Sequence, residues 1–441
     1  MRIKEAMLVF FHLPTLTTTL LTAAIATLTL LGVMLRPFKW NEAAFALAGA
    51  ALLLLLGLIT PLDAGRVLLG DWNVFFFFLG MMTISALVDA AGLFDWLASQ
   101  AATLAKGSTR HLLLNIFLLG CLISLVLSND ATALILTPVV YSLTTRLRLP
   151  AMPFLFACTF IADTASFLLP VSNPINIIIL TTFHLDLWTF LRLLFLPALA
   201  VIAINIGLFF LLYRRQLRGR FEMTRLPPAS ETIKHPAYFR YACIITLLTA
   251  LAYVVASATQ FPLSIVALAG AICLLGGAIY WKRSNLRETS KQISWPIFGF
   301  IAGMFLVVHG LEGSGLTALF GQLLLHLSGN TPLGATLVGT LGAALGSNLI
   351  NNLSMATVLT SALQGVQHTT ATTHLGFIAA TIFGCDLGPN LTTVGSLATV
   401  LWLLILRKHN MEVSGLDYFK VGILIAPLML IVGALIIWLL L

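Results

Sequence analysis

The sequence predicts an all-α polytopic membrane protein built from two inverted repeats, with about ten spanning helices, two re-entrant hairpins and broken helices at its site. Three observations carry that prediction. Of the 441 residues, 59% are hydrophobic and only 9% are charged, with a mean hydropathy of +1.00. Apolar runs of about 20 residues, enough to span a bilayer, recur from end to end and leave no stretch for a soluble domain. Polar and Pro/Gly-containing breaks then interrupt some of those runs at matching places in the two halves.

The match is internal and exact in spacing. A shift of 223 residues pairs Trp72 with Trp295, Phe75 with Phe298, Gly80 with Gly303 and Met81 with Met304. Without a gap it also pairs Asp89 with Glu312, Gly92 with Gly315, Asn129 with Asn352, Thr137 with Thr360, Phe160 with Phe383 and Asp163 with Asp386. Apolar coincidences are cheap in such a chain, but matched Trp, Asn, Asp and Gly are not. The reading is therefore a first repeat over 1–213, a basic cytoplasmic loop over 214–236 and a second repeat over 237–441.

In the first half, spans are expected near 14–33, 42–60 and 72–90, followed by an amphipathic stretch to about Arg110. Arg2 and Lys4 precede the first run in the manner of a signal peptide, but that run is too long for one and no small-residue cleavage site follows. The segment 111–147 is interrupted by Ser128-Asn129-Asp130, and 151–183 by Asp163 and then by Pro170-Val171-Ser172-Asn173-Pro174. A last span lies near 188–213. The second half repeats the pattern at 239–257, 262–281, 295–311, an interrupted 332–367, an interrupted 376–406, and 421–441. Broken backbone is tolerated in a membrane only where protein or a wet cavity satisfies it. So 111–147 and 332–367 read as re-entrant hairpins, and 151–183 and 376–406 as broken spanning helices. Five crossings per half is odd, which turns the second half over.

Charge agrees with the inversion. The net charge of +8 arises from short loops, as the positive-inside rule requires, and does not point to nucleic acid. Of 24 Lys and Arg, all but Arg2, Lys4, Arg66 and Arg192 fall on the cytoplasmic side of this topology, and Gly313 to Leu406 contains none. Both termini are expected in the periplasm of a bacterial inner-membrane protein. The five cysteines sit in apolar segments without metal-ligand spacing and read as packing residues.

Discontinuous helices paired across inverted repeats are where transporters place their substrate. The binding candidates are Ser128, Asn129 and Asp130 at the first tip, and Asn351 and Asn352 at the second. At the breaks they are Ser172, Asn173, Gly395 and Ser396. Amides and hydroxyls both donate and accept hydrogen bonds, which suits a neutral hydroxylated solute better than a bare ion. Asp130, Asp163 and Asp386 are the deepest carboxylates and the candidates for a coupling proton. Burial and a neighbouring helix N-terminus pull such a group's proton affinity in opposite senses. Asp89 and Glu312, near span ends, read as structural, and His309 as packing. No HExxH motif and no nucleophile–base set is present, so the chain does not read as an enzyme.

Three stretches are distinctive: Ser128-Asn129-Asp130 through Thr137-Pro138, Ile161-Ala162-Asp163-Thr164-Ala165-Ser166 leading to Ser172-Asn173, and Gly384-Cys385-Asp386-Leu387-Gly388-Pro389 continuing through Gly395-Ser396 to Trp402. In them the chain resembles the ArsB-type arsenite/antimonite efflux pumps (arsenical pump membrane proteins) of the ion-transporter superfamily. The resemblance covers essentially the whole chain. It implies export of trivalent arsenite and antimonite by proton antiport with alternating access. It also implies no cofactor beyond the proton motive force, and in some members a soluble ATPase partner. Three departures stand out: Ala131 replaces a Gly, Leu353-Ser354 replaces Met-Pro, and Asn390 replaces a Lys. Arsenite at neutral pH is mainly an uncharged trihydroxide and is thiophilic, which makes Cys385 a conceivable ligand. A tight thiolate bond would slow release, so Cys385 is not favoured. The alternatives are a sodium–proton antiporter or organic-anion transporter of the same superfamily, and, from another class, a passive channel.

Overall fold

Long apolar runs can satisfy their backbone in lipid only as helix or closed barrel, and these form helix. The computed structural model describes residues 15–35, 40–70, 72–226, 233, 235–259, 261–366, 369–393 and 395–441. Arg2, Lys4, Arg36, Lys39 and Lys234, used above to assign sides, lie outside the described residues, as does 227–232 of the basic loop.

The first half runs Thr15–Leu35, Glu42–Leu55, Trp72–Ala90 and an amphipathic Leu93–Leu104. A hairpin follows, with arms Thr109–Val126 and 129–146, then a broken helix of Met152–Thr164 and Pro174–Phe183, and finally Leu187–Leu212. The second half runs Pro236–Ala258, Leu263–Tyr280, Pro296–Gly313 and Leu316–Leu327. Its hairpin has arms Pro332–Ile350 and Asn352–Gln364; its broken helix is Ala371–Leu387 and Leu397–Lys408, and Gly415–Leu440 closes the chain. No strand occurs among the described residues. Nine of the described helices are long and apolar enough to cross a membrane, among them the first arm of each hairpin.

The helix starts follow from local chemistry. Asn41, Asp186 and Ser414 precede apolar runs, and their side chains accept from Ala44 N, Thr189 N and Asp417 N at 3.0, 2.6 and 3.1 Å. Proline opens Pro236–Ala258, Pro296–Gly313 and Pro332–Ile350, where a missing N–H costs nothing. The span expected over 42–60 is shorter, because the chain turns through Gly57 at φ +69° soon after Leu55. Two short helices then appear outside the expected spans, Pro61–Gly70 and Leu286–Gln292, at matching places in the two halves. Thr60 caps the former, and its hydroxyl, with Arg66 beside it, holds the Asp63 carboxyl below the usual range.

The halves are laced together by reciprocal packing. Trp72–Ala90 lies along Leu263–Tyr280, and Pro296–Gly313 lies along Glu42–Leu55. Gly80 and Gly303 make both contacts possible. A Cβ at Gly80 would stand 2.5 Å from Ala267 Cβ, and one at Gly303 2.5 Å from the Ala46 carbonyl carbon. Gly92 and Gly315 likewise do one job, each taking positive φ (82° and 76°) ahead of a 12-residue helix. Leu55, Leu69 and Leu439 are 71–81% exposed, a surface suited to lipid.

Several basic ends share faces. The basic loop docks on the 107–109 turn, with Phe221 N donating to Gly107 O at 2.9 Å and Thr109 Oγ1 donating to Gly219 O at 2.7 Å. The rings of Tyr141 and His409 stack at 4.2 Å between centroids, bringing the Arg146 and Arg407 ends together. At a different end, Arg192 donates to the Leu440 carbonyl at 3.4 Å.

Candidate functional site

The hairpin tips are built by the residues that interrupt them. Leu127 ends the first arm, and Ser128, in extended conformation, starts the second by accepting from Ala131 N at 3.2 Å. Asn129 then fixes its amide at both ends. Its Oδ1 accepts from Asp130 N at 2.9 Å, and its Nδ2 faces Asp163 Oδ1 at 3.5 Å. The second tip repeats the first bond, Asn352 Oδ1 accepting from Leu353 N at 2.9 Å, while Asn352 N donates to the Gly395 carbonyl at 2.8 Å. Its cap residue, Asn351, sits at φ 75°, ψ 149°, a conformation that costs a non-glycine residue about 1–3 kcal/mol. The second arm of the first hairpin passes through a π turn at Thr132–Leu136, where that of the second hairpin is plain α-helix. Single π turns cluster at functional sites.

The breaks are closed by bonds that cross between halves. Asn173 caps Pro174–Phe183 by accepting from Ile175 N, and its Nδ2 donates to Asp386 Oδ1 at 2.6 Å. Ser396, its partner at the 223-residue shift, caps Leu397–Lys408, and its hydroxyl donates to Asp163 Oδ2 at 3.2 Å. Each aspartate thus takes a hydrogen bond from the cap of the opposite half's broken helix. Both carboxyls are fully buried, and the partners given above are all neutral. Thr399 adds a third donor to Asp163 at 3.4 Å. Asp386 Oδ2 and the side-chain oxygens of Asn176, Asn205 and Asn390 have no donor among the described residues.

Between tips and breaks lies a cavity of about 230 Å³. Asn129, Asp130, Asn173, Asn351 and Asn352 line it, together with Asn41, Ser294, Phe78, Phe300 and the Leu397–Leu404 helix face. Ser172, Gly395 and Ser396 stand behind the lining: Ser172 is buried with an unpaired hydroxyl, Gly395 anchors the second tip through its carbonyl, and Ser396 holds Asp163. Asp163 and Asp386 do not line the cavity either. Asn129 and Asn173 connect it to them, each with one face on the cavity and one amide on a carboxyl. A second chamber of about 420 Å³ adjoins the first, sharing Phe78, Asp130, Pro174, Ser294 and Leu401, and extends past Ser128 and Asp89 to Gln292 and His409.

Cys385 is fully buried and lines neither chamber, and no cysteine is among the described lining residues of the cavity. Asn390, standing where a Lys is common, is fully buried and donates to Thr164 Oγ1 at 3.1 Å, alongside Asn205 at 2.9 Å. His309 corrects an expectation. It is not core packing; its Nδ1 lies 3.2 Å from Glu312 Oε2, with both side chains more than a third exposed. A Glu three residues ahead on a helix was the signal for that pair. Asn205 was legible too, as the lone amide in a 26-residue apolar helix. Asn41, Ser294 and the two phenylalanines carry no such mark, since they reach the cavity only through the packing of distant segments.

Known proteins supply the remaining evidence. The profile of the ArsB family, "Arsenical pump membrane protein", matches residues 21–439. The arsenical pump membrane protein of Escherichia coli (strain K12) is 34% identical over 414 residues, covering 92% of this chain and 95% of that one. That of Yersinia enterocolitica is 34% identical over 411 residues with the same coverage, and a putative arsenical pump membrane protein of Bacillus subtilis (strain 168) is 26% identical over 423. Among solved structures, the Alcanivorax borkumensis YdaH transporter shares the fold, with a TM-score of 0.60 at 14% identity over 96% of this chain and 98% of that one. With its multi-pass helical architecture and this match from end to end, the chain belongs to the arsenical pump membrane protein family, the bacterial transporters of arsenicals.

Proposed function

We propose that the chain exports trivalent arsenite and antimonite across the bacterial inner membrane by proton antiport, using alternating access between two inverted repeats. The observation that carries this reading is the pair of amide bridges. A cavity lined mostly by amides, with Asp130 the one carboxyl among its described lining residues, suits an uncharged trihydroxide, and behind it lie two buried carboxyls reached through Asn129 and Asn173. A proton on the carboxyl oxygen that faces the amide, Oδ1 of Asp163 or of Asp386, turns that acceptor into a donor, and the amide then lets go or rotates. Rotation of that amide changes what the cavity offers its solute. Loading a proton and releasing arsenite are in this way tied to one side chain.

The same features weigh against the alternatives. No Lys or Arg is among the described lining residues of the cavity, so an organic anion would find no counter-charge there. Access to the cavity runs through the Asp130 chamber toward His409 and Gln292, next to cytoplasmic Lys291 and Arg407 in this topology. A soluble ATPase, where one is present, would meet the cytoplasmic face at the basic loop seated on the 107–109 turn.

Arsenite efflux measured across a pH series tests the carboxylates. Asp163→Asn and Asp386→Asn are each expected to lower proton-driven export about tenfold or more while leaving the protein in the membrane. If both variants keep the parental dependence on pH, the aspartates do not carry the proton.

A further inference from the structure

A further polar cavity, of about 390 Å³, lies along the second arm of the second hairpin. Its wall is formed by Arg66, His309, Glu312, Thr357, Thr360 and Ser361, among others, and it shares no lining residue with the central cavity. Two features single it out. Thr360 and Ser361 are 5% and 6% exposed, and neither hydroxyl has a hydrogen-bond partner among the described residues. A buried hydroxyl without a partner is a standing cost, met when something polar enters.

The second feature is its place in the repeat. The 223-residue shift carries Met82, Ser85, Ala86, Asp89, Leu134 and Pro138 onto Phe305, Val308, His309, Glu312, Thr357 and Ser361. The first six line the chamber that opens the central cavity toward His409, and the second six line this one. The two chambers are therefore counterparts, one joined to the central cavity and one separated from it. Their chemistry differs where it matters: Leu134 and Pro138 on the joined side are replaced by Thr357 and Ser361 on the other. Leu353, which lines the central cavity, Thr357, Thr360, Ser361 and Gln364 fall at helical spacing on one stripe of Asn352–Gln364. That stripe leads from the central cavity outward.

We infer that this outer chamber is a release subsite, binding a small neutral polyhydroxylated solute through the Thr360 and Ser361 hydroxyls on its way to the periplasm. The inference rests on the proposed arsenite cargo. At the two matched positions Leu134 and Pro138 offer the solute no hydroxyl on the inner side, and the Thr360 and Ser361 hydroxyls outside give it partners that replace those of the central amides.

Exchange of labelled arsenite is the test, with the full chain in right-side-out vesicles and external arsenite varied. Thr360→Val combined with Ser361→Ala is expected to raise the external half-saturation about five- to tenfold, the effect of losing one or two neutral hydrogen bonds. Half-saturation from the cytoplasmic face, measured in everted vesicles, is expected to stay within about twofold. Thr360→Ser keeps the hydroxyl and should match the parent. Equal shifts at both faces, or none in a double variant present at parental levels, overturn the subsite. A parent chain that exchanges no arsenite in either vesicle type overturns the cargo assignment and, with it, the ligand of this chamber.

Discussion

Asn129 and Asn173 line the cavity, and each gives its amide oxygen to a backbone N–H and its amide nitrogen to a buried carboxyl. An aspartate in either place would keep an acceptor but lose the donor that meets the carboxyl, and would put a second charge beside the first. Asn173→Asp is therefore expected to abolish export in a protein that still reaches the membrane, whereas Asn173→Gln should retain part of it. Efflux assays at matched protein levels check this. Cys385 stands apart from that arrangement, fully buried and outside the cavity wall. Cys385→Ala is expected to keep most transport, and loss of efflux in a well-folded variant would restore the thiol as a ligand. At this scale the sequence was most legible where polar residues interrupt apolar runs, as at Ser128-Asn129-Asp130 and Asn351-Asn352. It was silent on which of them face the cavity. Gly395 and Ser396 are as polar a break as Asn173, yet they turn inward to Asn352 and Asp163, because helix rotation at a break is set by packing and not by composition.

At the scale of elements, the glycines of the third helices decide how closely the halves approach. Gly80 meets the backbone of Leu263–Tyr280 and Gly303 that of Glu42–Leu55, each with no room for a methyl group. Gly80→Val and Gly303→Val are each expected to destabilise the protein by about 1–3 kcal/mol through overpacking, seen as a lower unfolding temperature in detergent. Gly207→Ala, where a Cβ would meet nothing within 4 Å, is the control and should be neutral or slightly stabilising. The shift of 223 residues made these glycines recognisable as counterparts, but not as partners of the opposite half. Their contacts are long-range, and a single sequence carries no trace of which helix a glycine will touch. The short helices Pro61–Gly70 and Leu286–Gln292 escaped for a different reason. They are too polar and too brief for a hydropathy reading, although Thr60 and Asn285 are ordinary helix caps.

For the whole molecule, the charge distribution and the packing point the same way. The 107–109 turn meets the 219–221 loop, and Tyr141 meets His409, so within each pair two segments expected in the cytoplasm lie side by side. Arg66 and Arg192, the described exceptions, lie elsewhere: Arg66 lines the outer chamber, and Arg192 reaches the C-terminal helix end. A C-terminal fusion reporter is accordingly expected to read periplasmic. A cytoplasmic reading would remove the inversion of the second half and reverse the direction of the access path. In the proposed cycle a proton is loaded behind the amide-lined cavity. Arsenite uptake into everted vesicles containing the protein, with and without an imposed inside-acid pH gradient, tests it most directly. Accumulation that requires the gradient is the predicted result. Absence of accumulation in vesicles where the protein is folded and abundant, or accumulation indifferent to the gradient, would contradict it.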